Sequence, residues 1–185
     1  MVSTDEAADG TITLVSNVQW IYSPSDDGKA RFALGTEGQN PLVCFGINPS
    51  IAVPGKLDPT VTRVRNIAAR NQFDSWVMLN VYPQISTDPN EIHRALDPEL
   101  KATNERYIEQ LLRGRPLTIL GAWGGLIDSR KYFRPLLADI VKVTNKTGST
   151  WVSLGEPLGG GHPRHPSRAR NELLLEPFDM GIYLS

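Results

Sequence analysis

The chain has 185 residues, 40% of them hydrophobic, a formal net charge of −1 and a single cysteine. That length supports one sizeable core but not two comfortable domains, and its 14 prolines and 16 glycines imply many loops without forming a low-complexity tract. One cysteine excludes an internal disulfide and argues against a cysteine-ligated metal site; the near-neutral charge argues against an obligate, non-specific nucleic-acid coat, which needs many phosphates neutralised.

Residues 1–10 are acidic and polar, unlike a signal peptide, so a frayed N-terminus is expected, followed by one domain over 11–185. No apolar run approaches the roughly twenty residues of a membrane helix, and a lone Cys44 inside Leu42-Val43-Cys44-Phe45 suits a reducing cytoplasm. Residues 12–22 and 30–34 flank Ser-Pro-Ser-Asp-Asp-Gly-Lys, a turn sequence, and predict an N-terminal hairpin. The pattern then switches to short apolar runs at 41–47, 75–81, 117–122 and 150–154, which read as strands buried on both faces.

Helical spacing fills the gaps. Val61, Val64, Ile67 and Ala68 share a stripe over 59–71, as do Leu100, Tyr107, Ile108 and Leu111 over 98–112, and Tyr132, Phe133, Leu136, Leu137, Ile140 and Val141 over 129–143. Asp58-Pro59 and Asp97-Pro98 each place a capping acid before a first-turn proline. Alternating strand and helix predicts a three-layer α/β/α fold with a mostly parallel four-stranded sheet, plus the N-terminal β-hairpin.

Open parallel sheets bind ligands beyond the carboxyl ends of their strands. Here those ends run into Gly46-Ile47-Asn48-Pro49-Ser50, Asn80-Val81-Tyr82-Pro83, Gly121-Ala122-Trp123-Gly124, and a loop holding His162, Arg164, His165, Ser167 and Arg168. Asn48 either closes a turn or positions a water or polar ligand. Asn80 either pairs with loop backbone or offers a donor and an acceptor to a heterocycle edge, a pattern matching a uracil-like O4 and N3–H and reversed in cytosine. Trp123 reads as a core aromatic or a base-stacking platform, and a loop histidine as an anion-stabilising donor before a metal ligand. His93 reads as a surface residue. The basic run His162 to Arg170, and Arg63, Arg65 and Arg70, read as solvated charge or as a patch for a phosphate backbone.

Taken in order, Arg31-Phe32-Ala33-Leu34, Asn48-Pro49-Ser50, Asp58 to Arg63, Asn80, Thr87-Asp88-Pro89, Ala122-Trp123-Gly124 and Pro163-Arg164-His165-Pro166 resemble the family called domain of unknown function 1643. More distantly, Gly46-Ile47-Asn48-Pro49, the strand ending in Asn80, the strand before Trp123 and His165-Pro166-Ser167 resemble motifs of the uracil-DNA glycosylase-like superfamily. That resemblance implies a DNA glycosylase-like hydrolase of the N-glycosidic bond, acting on a flipped uracil-like, damaged or modified base, with no cofactor and no metal. It assigns Asn48 and His165 to catalysis, Ile47, Asn80 and Trp123 to the base, and Ser50, Ser167, Arg164 and Arg168 to the DNA backbone. The expected partner is DNA, single-stranded or carrying modified bases, or a nucleotide, bound by a monomer with no membrane association. Alternatives are a non-catalytic base-, DNA- or protein-binding module of the same fold, and a hydrolase or transferase of free nucleosides or nucleotides. With no carboxylate in the first motif, slow chemistry is expected.

Overall fold

The computed structural model describes residues 18–170 and 172–185. The expected frayed segment 1–10 and positions 12–17 of the first expected strand lie outside them. Strands β1 (Trp20–Pro24) and β2 (Arg31–Thr36) form the predicted antiparallel hairpin. In its turn, the Ser25 hydroxyl donates to Asp27 at 2.7 Å and accepts from the Ala30 amide at 2.9 Å.

Next come β3 (Pro41–Gly46), α1 (Pro59–Arg70), β4 (Ser75–Asn80), α2 (Pro98–Leu112), β5 (Thr118–Gly121), α3 (Phe133–Lys146) and β6 (Thr150–Leu154). A three-residue β7 (Leu175–Pro177) and a short α4 (Met180–Leu184) finish the chain. The sheet order is β1-β2-β4-β3-β5-β6-β7; the four inner strands are parallel, while the hairpin and β7 pair antiparallel at its two edges. The expected four-stranded sheet with a separate hairpin is therefore corrected to one seven-stranded mixed sheet. Two things enlarge it: β2 hydrogen-bonds to β4 and does not stand apart, and Leu-Glu-Pro at β7 is too short to give a periodic signal.

Successive strand residues point to opposite faces, and both faces are covered. Leu42, Cys44, Trp76, Met78 and Leu120 meet the α1 stripe of Val61, Val64, Ile67 and Ala68. Val43, Phe45, Val77, Leu79 and Ile119 meet Ile108 and Leu112 of α2 and Phe133, Leu136, Leu137 and Ile140 of α3. Asp58 caps α1 by accepting from Val61 N at 2.7 Å, and Asp97 caps α2 by accepting from Glu99 N at 2.9 Å and Leu100 N at 3.1 Å. The third helix starts at Phe133, four residues later than its expected start. Gly124–Ser129 closes a separate 3-10 turn, and no side chain caps α3.

The strand-end loops are tied to one another by backbone. Val81 N donates to Gly46 O at 2.9 Å, Tyr82 N to Ile47 O at 2.8 Å and Ala122 N to Phe45 O at 2.9 Å. Because β2 runs antiparallel to β4, its first residue, Arg31, stands at this same edge, where its amide donates to Pro83 O at 2.9 Å.

Candidate functional site

A cavity of about 110 Å³ opens at the carboxyl ends of β3, β4 and β5, lined by Ile47, Asn48, Ser50, Asn80, Trp123 and His165 together with Arg31, Asp58, Thr60 and Met78. Its size is well below the roughly 300–1,000 Å³ that surrounds a drug-sized ligand, so it suits one small ring and not a whole nucleotide. Arg164, Ser167 and Arg168 do not line it. Arg164 Nε donates to Glu156 O at 3.0 Å, while Ser167 and Arg168 are exposed.

Asn48 is half-buried, and its amide nitrogen donates to backbone oxygens of Ser86 at 2.9 Å, Pro49 at 3.1 Å and Gln84 at 3.4 Å. Three acceptors around one nitrogen fix the amide's orientation and leave its oxygen as the atom without a described partner. The turn-closing and ligand-positioning readings are thus compatible: nitrogen holds the loop, oxygen remains to accept.

Asn80 is 1% exposed. Its amide fits its surroundings in one orientation, with the nitrogen donating to Asn48 O at 3.2 Å and Leu79 O at 3.3 Å. Both donors face protein backbone, one in the loop after β3 and one in β4 itself, so what it can offer a ligand is the carbonyl oxygen. Gly46 makes room for it, since a Cβ there would lie 3.1 Å from the Asn80 amide. From α2, Asn104 Nδ2 donates to Asn80 O at 2.9 Å, which fixes the backbone that carries this side chain.

His165 begins the 3-10 turn Pro166–Arg168, and its Nδ1 accepts from Ser167 N at 3.3 Å with Ser167 Oγ at 2.8 Å. In the neutral ring that leaves the proton on Nε2, free to donate. Burial, reinforced by Arg168 and opposed by Asp58, lowers its pKa below the ordinary value of 6.5 and favours the neutral form. Gly124, at φ +54°, turns the β5 loop back so that its amide donates to Pro163 O at 3.0 Å, beside the His165 segment.

Sequence reasoning missed Arg31 and Asp58 as cavity residues. Asp58 accepts the Ser50 hydroxyl as well as the α1 amide, so the helix cap also supplies a carboxylate that the first motif lacks. Arg31 is 2% exposed, and burial pushes its pKa down to about 10 despite the nearby Asp58.

The other loop histidine belongs to a separate network. His162 Nε2 lies 3.2 Å from Asp128 Oδ2, so that nitrogen carries the proton; Nδ1 then accepts from the Tyr183 hydroxyl at 2.8 Å. Tyr183 in turn accepts from Trp123 Nε1 at 2.9 Å. Trp123 is 2% exposed and packs on Trp151, Phe178 and Tyr183, so most of its indole is core and only part borders the cavity. Tyr183→Phe strands the buried indole N–H, which is expected to cost about 1–3 kcal/mol. Thermal unfolding should fall by roughly 2–4 °C per kcal/mol for a chain of this size; an unchanged midpoint would mean that the network does not hold α4. His93 is exposed, as expected of a surface residue, and its Nδ1 lies 2.8 Å from the Tyr82 hydroxyl.

Among the described residues no group of three or more His, Cys, Asp or Glu side chains could hold a metal ion, and no helix is long and apolar enough to cross a membrane. The site is thus a small polar cavity at the strand ends of a mixed α/β sheet, walled by one cation, one carboxylate, two amides and an imidazole. The chain belongs to the family described as protein of unknown function DUF1643, which it matches over residues 31–167. No curated protein and no solved structure matches it.

Proposed function

We propose that the protein is a uracil-DNA glycosylase-like hydrolase that cleaves the N-glycosidic bond of a flipped base in DNA. The observation that carries this reading is the convergence of Ile47, Asn48, Asn80, Trp123 and His165 on one cavity of a single ring's size. A small cavity suits a reaction in which the base enters while sugar and phosphate stay outside.

Asn48 Oδ1 and the Asp58 carboxylate hold a water against the sugar carbon. Water adds to that carbon as the bond to the ring nitrogen breaks; the bonding pair leaves with the base, and the proton that the water loses passes by way of the Asp58 carboxylate to the departed base anion. Asn80 Oδ1 accepts a ring N–H, and His165 Nε2–H donates to the ring oxygen on which negative charge grows. The Asp58 carboxylate removes the reason to expect slow chemistry. Outside the cavity, Arg164, Arg168 and Ser167 lie on the loop that carries His165, and Arg63 donates to Ala169 O, bringing α1 beside that loop. This local basic surface suits a phosphate backbone although the whole chain does not.

The test treats single-stranded and duplex oligonucleotides bearing one uracil, thymine, cytosine or oxidised base, and reads alkali-labile strand breaks. Breaks at uracil-like but not cytosine positions are expected. Retained, salt-sensitive DNA binding with no abasic site would assign a non-catalytic module; cleavage of free nucleosides with no action on oligonucleotides would assign the free-nucleoside alternative.

A further inference from the structure

Arg31 is the most buried charged side chain of the described residues and it borders the cavity. Its Nη1 donates to Ala52 O at 2.6 Å and Ser50 O at 3.4 Å, which staples the loop after β3. Nε is buried without a partner, and Nη2 donates to no described residue. No ion pair joins it to Asp58, whose carboxylate accepts from the Ser50 hydroxyl and the amide of Val61. The edge of a guanidinium made by Nε and Nη2 is a planar fork that binds oxygen in a bidentate manner. A loop staple needs only Nη1, and leaving a buried donor unpaired is costly. The start of α1 adds its own positive end to this wall, through Thr60 and Val61.

We propose that Arg31 is a ligand-binding residue whose Nε and Nη2 fork takes an exocyclic oxygen of the ring that occupies the cavity. The inference rests on the base-binding reading of that cavity and narrows it to one ligand class. With Asn80 offering an acceptor and both Arg31 and His165 offering donors, the matching ring carries an N–H and exocyclic oxygens, as an imide or lactam does. As the ring departs with the bonding pair, its oxygen gains charge, and the guanidinium favours that state without accepting or giving a proton.

The experiment titrates full-length, nitrogen-15-labelled protein with uracil and, separately, with pyrimidine, the same ring without exocyclic oxygens. The guanidinium N–H resonances of Arg31 are identified by their absence from Arg31→Lys, or through contacts with Ala52 should that variant not fold. Uracil is expected to shift these resonances saturably and to bind about tenfold or more tighter than pyrimidine, with Arg31→Lys losing about that factor. Uracil binding with unmoved Arg31 resonances, equal affinity for uracil and pyrimidine, or Arg31 resonances that move with neither free uracil nor a deoxyuridine oligonucleotide overturns the proposal. A parallel titration with a single-stranded oligonucleotide carrying one deoxyuridine separates a free-base ligand from a flipped one, and a shift with either supports Arg31. Excision that is indifferent to Arg31 sinks this inference and spares the glycosylase reading; an Arg31-dependent uracil complex without abasic-site formation does the reverse.

Discussion

Replacing His165 by alanine is expected to lower turnover on a uracil-bearing oligonucleotide about a hundredfold or more while changing its affinity little. The ring's Nδ1 is held by Ser167, its Nε2–H is left to donate, and burial keeps it neutral. A donor aimed at an oxygen that becomes anionic matters most in the transition state, so the loss falls on the chemical step. Single-turnover rates and equilibrium binding on the same oligonucleotide separate the two effects. Should His162→Ala be the damaging change and His165→Ala the mild one, the roles assigned here are reversed. The His162 network of Tyr183 and Asp128 argues against that, since both of its ring nitrogens already have protein partners.

The same histidine has a pH signature in stability. Its folded-state pKa is lowered, so the unfolded chain takes up the proton first as pH falls. Stability associated with His165 is present above its ordinary value of 6.5 and is lost as pH drops from there through the lower folded value. Unfolding midpoints measured across that range should fall more steeply for wild type than for His165→Asn, and parallel curves would show that His165 is not buried in the neutral form.

Asn48, Asn80 and Trp123 could be read from sequence because each closes or follows an apolar run, and His165 because it lies in the long loop after the fourth such run; strand ends of a parallel sheet share an edge. Arg31 could not. It stands in a hairpin strand that looks like an appendage, and only the antiparallel pairing of β2 with β4 brings its first residue to that edge. That register is a long-range property which local periodicity does not encode. Asp58 was legible as a helix cap, and it is one; the cap geometry says nothing of which loop the second carboxylate oxygen meets, here Ser50. Asn104 left a usable signal: it falls four residues from both Leu100 and Ile108, a polar residue on the buried stripe of α2, and it holds the Asn80 backbone.

Asn80→Asp is expected to damage folding more than base choice. The sequence suggests an amide that shows a ligand both a donor and an acceptor, so that aspartate would tilt preference from uracil toward cytosine. With the amide donating to Asn48 O and Leu79 O, the substitution instead sets a carboxylate against two carbonyl oxygens at a residue only 1% exposed. An uncompensated buried charge costs on the order of 3–5 kcal/mol, which lowers the unfolding midpoint of a chain this size by roughly 10 °C. The carboxyl relieves the clash by protonating, so its folded pKa rises above the unfolded one. Stability is then retained below the ordinary aspartate range and lost as pH rises through the folded value. The oxygen that accepts a ring N–H survives the substitution, so whatever folded protein remains should keep its preference for uracil over cytosine. Thermal unfolding at acidic and neutral pH, with excision of both bases by the folded fraction, checks both halves. A variant as stable as wild type at neutral pH, with its preference moved toward cytosine, would mean that the Asn80 nitrogen faces the ligand and not the loop.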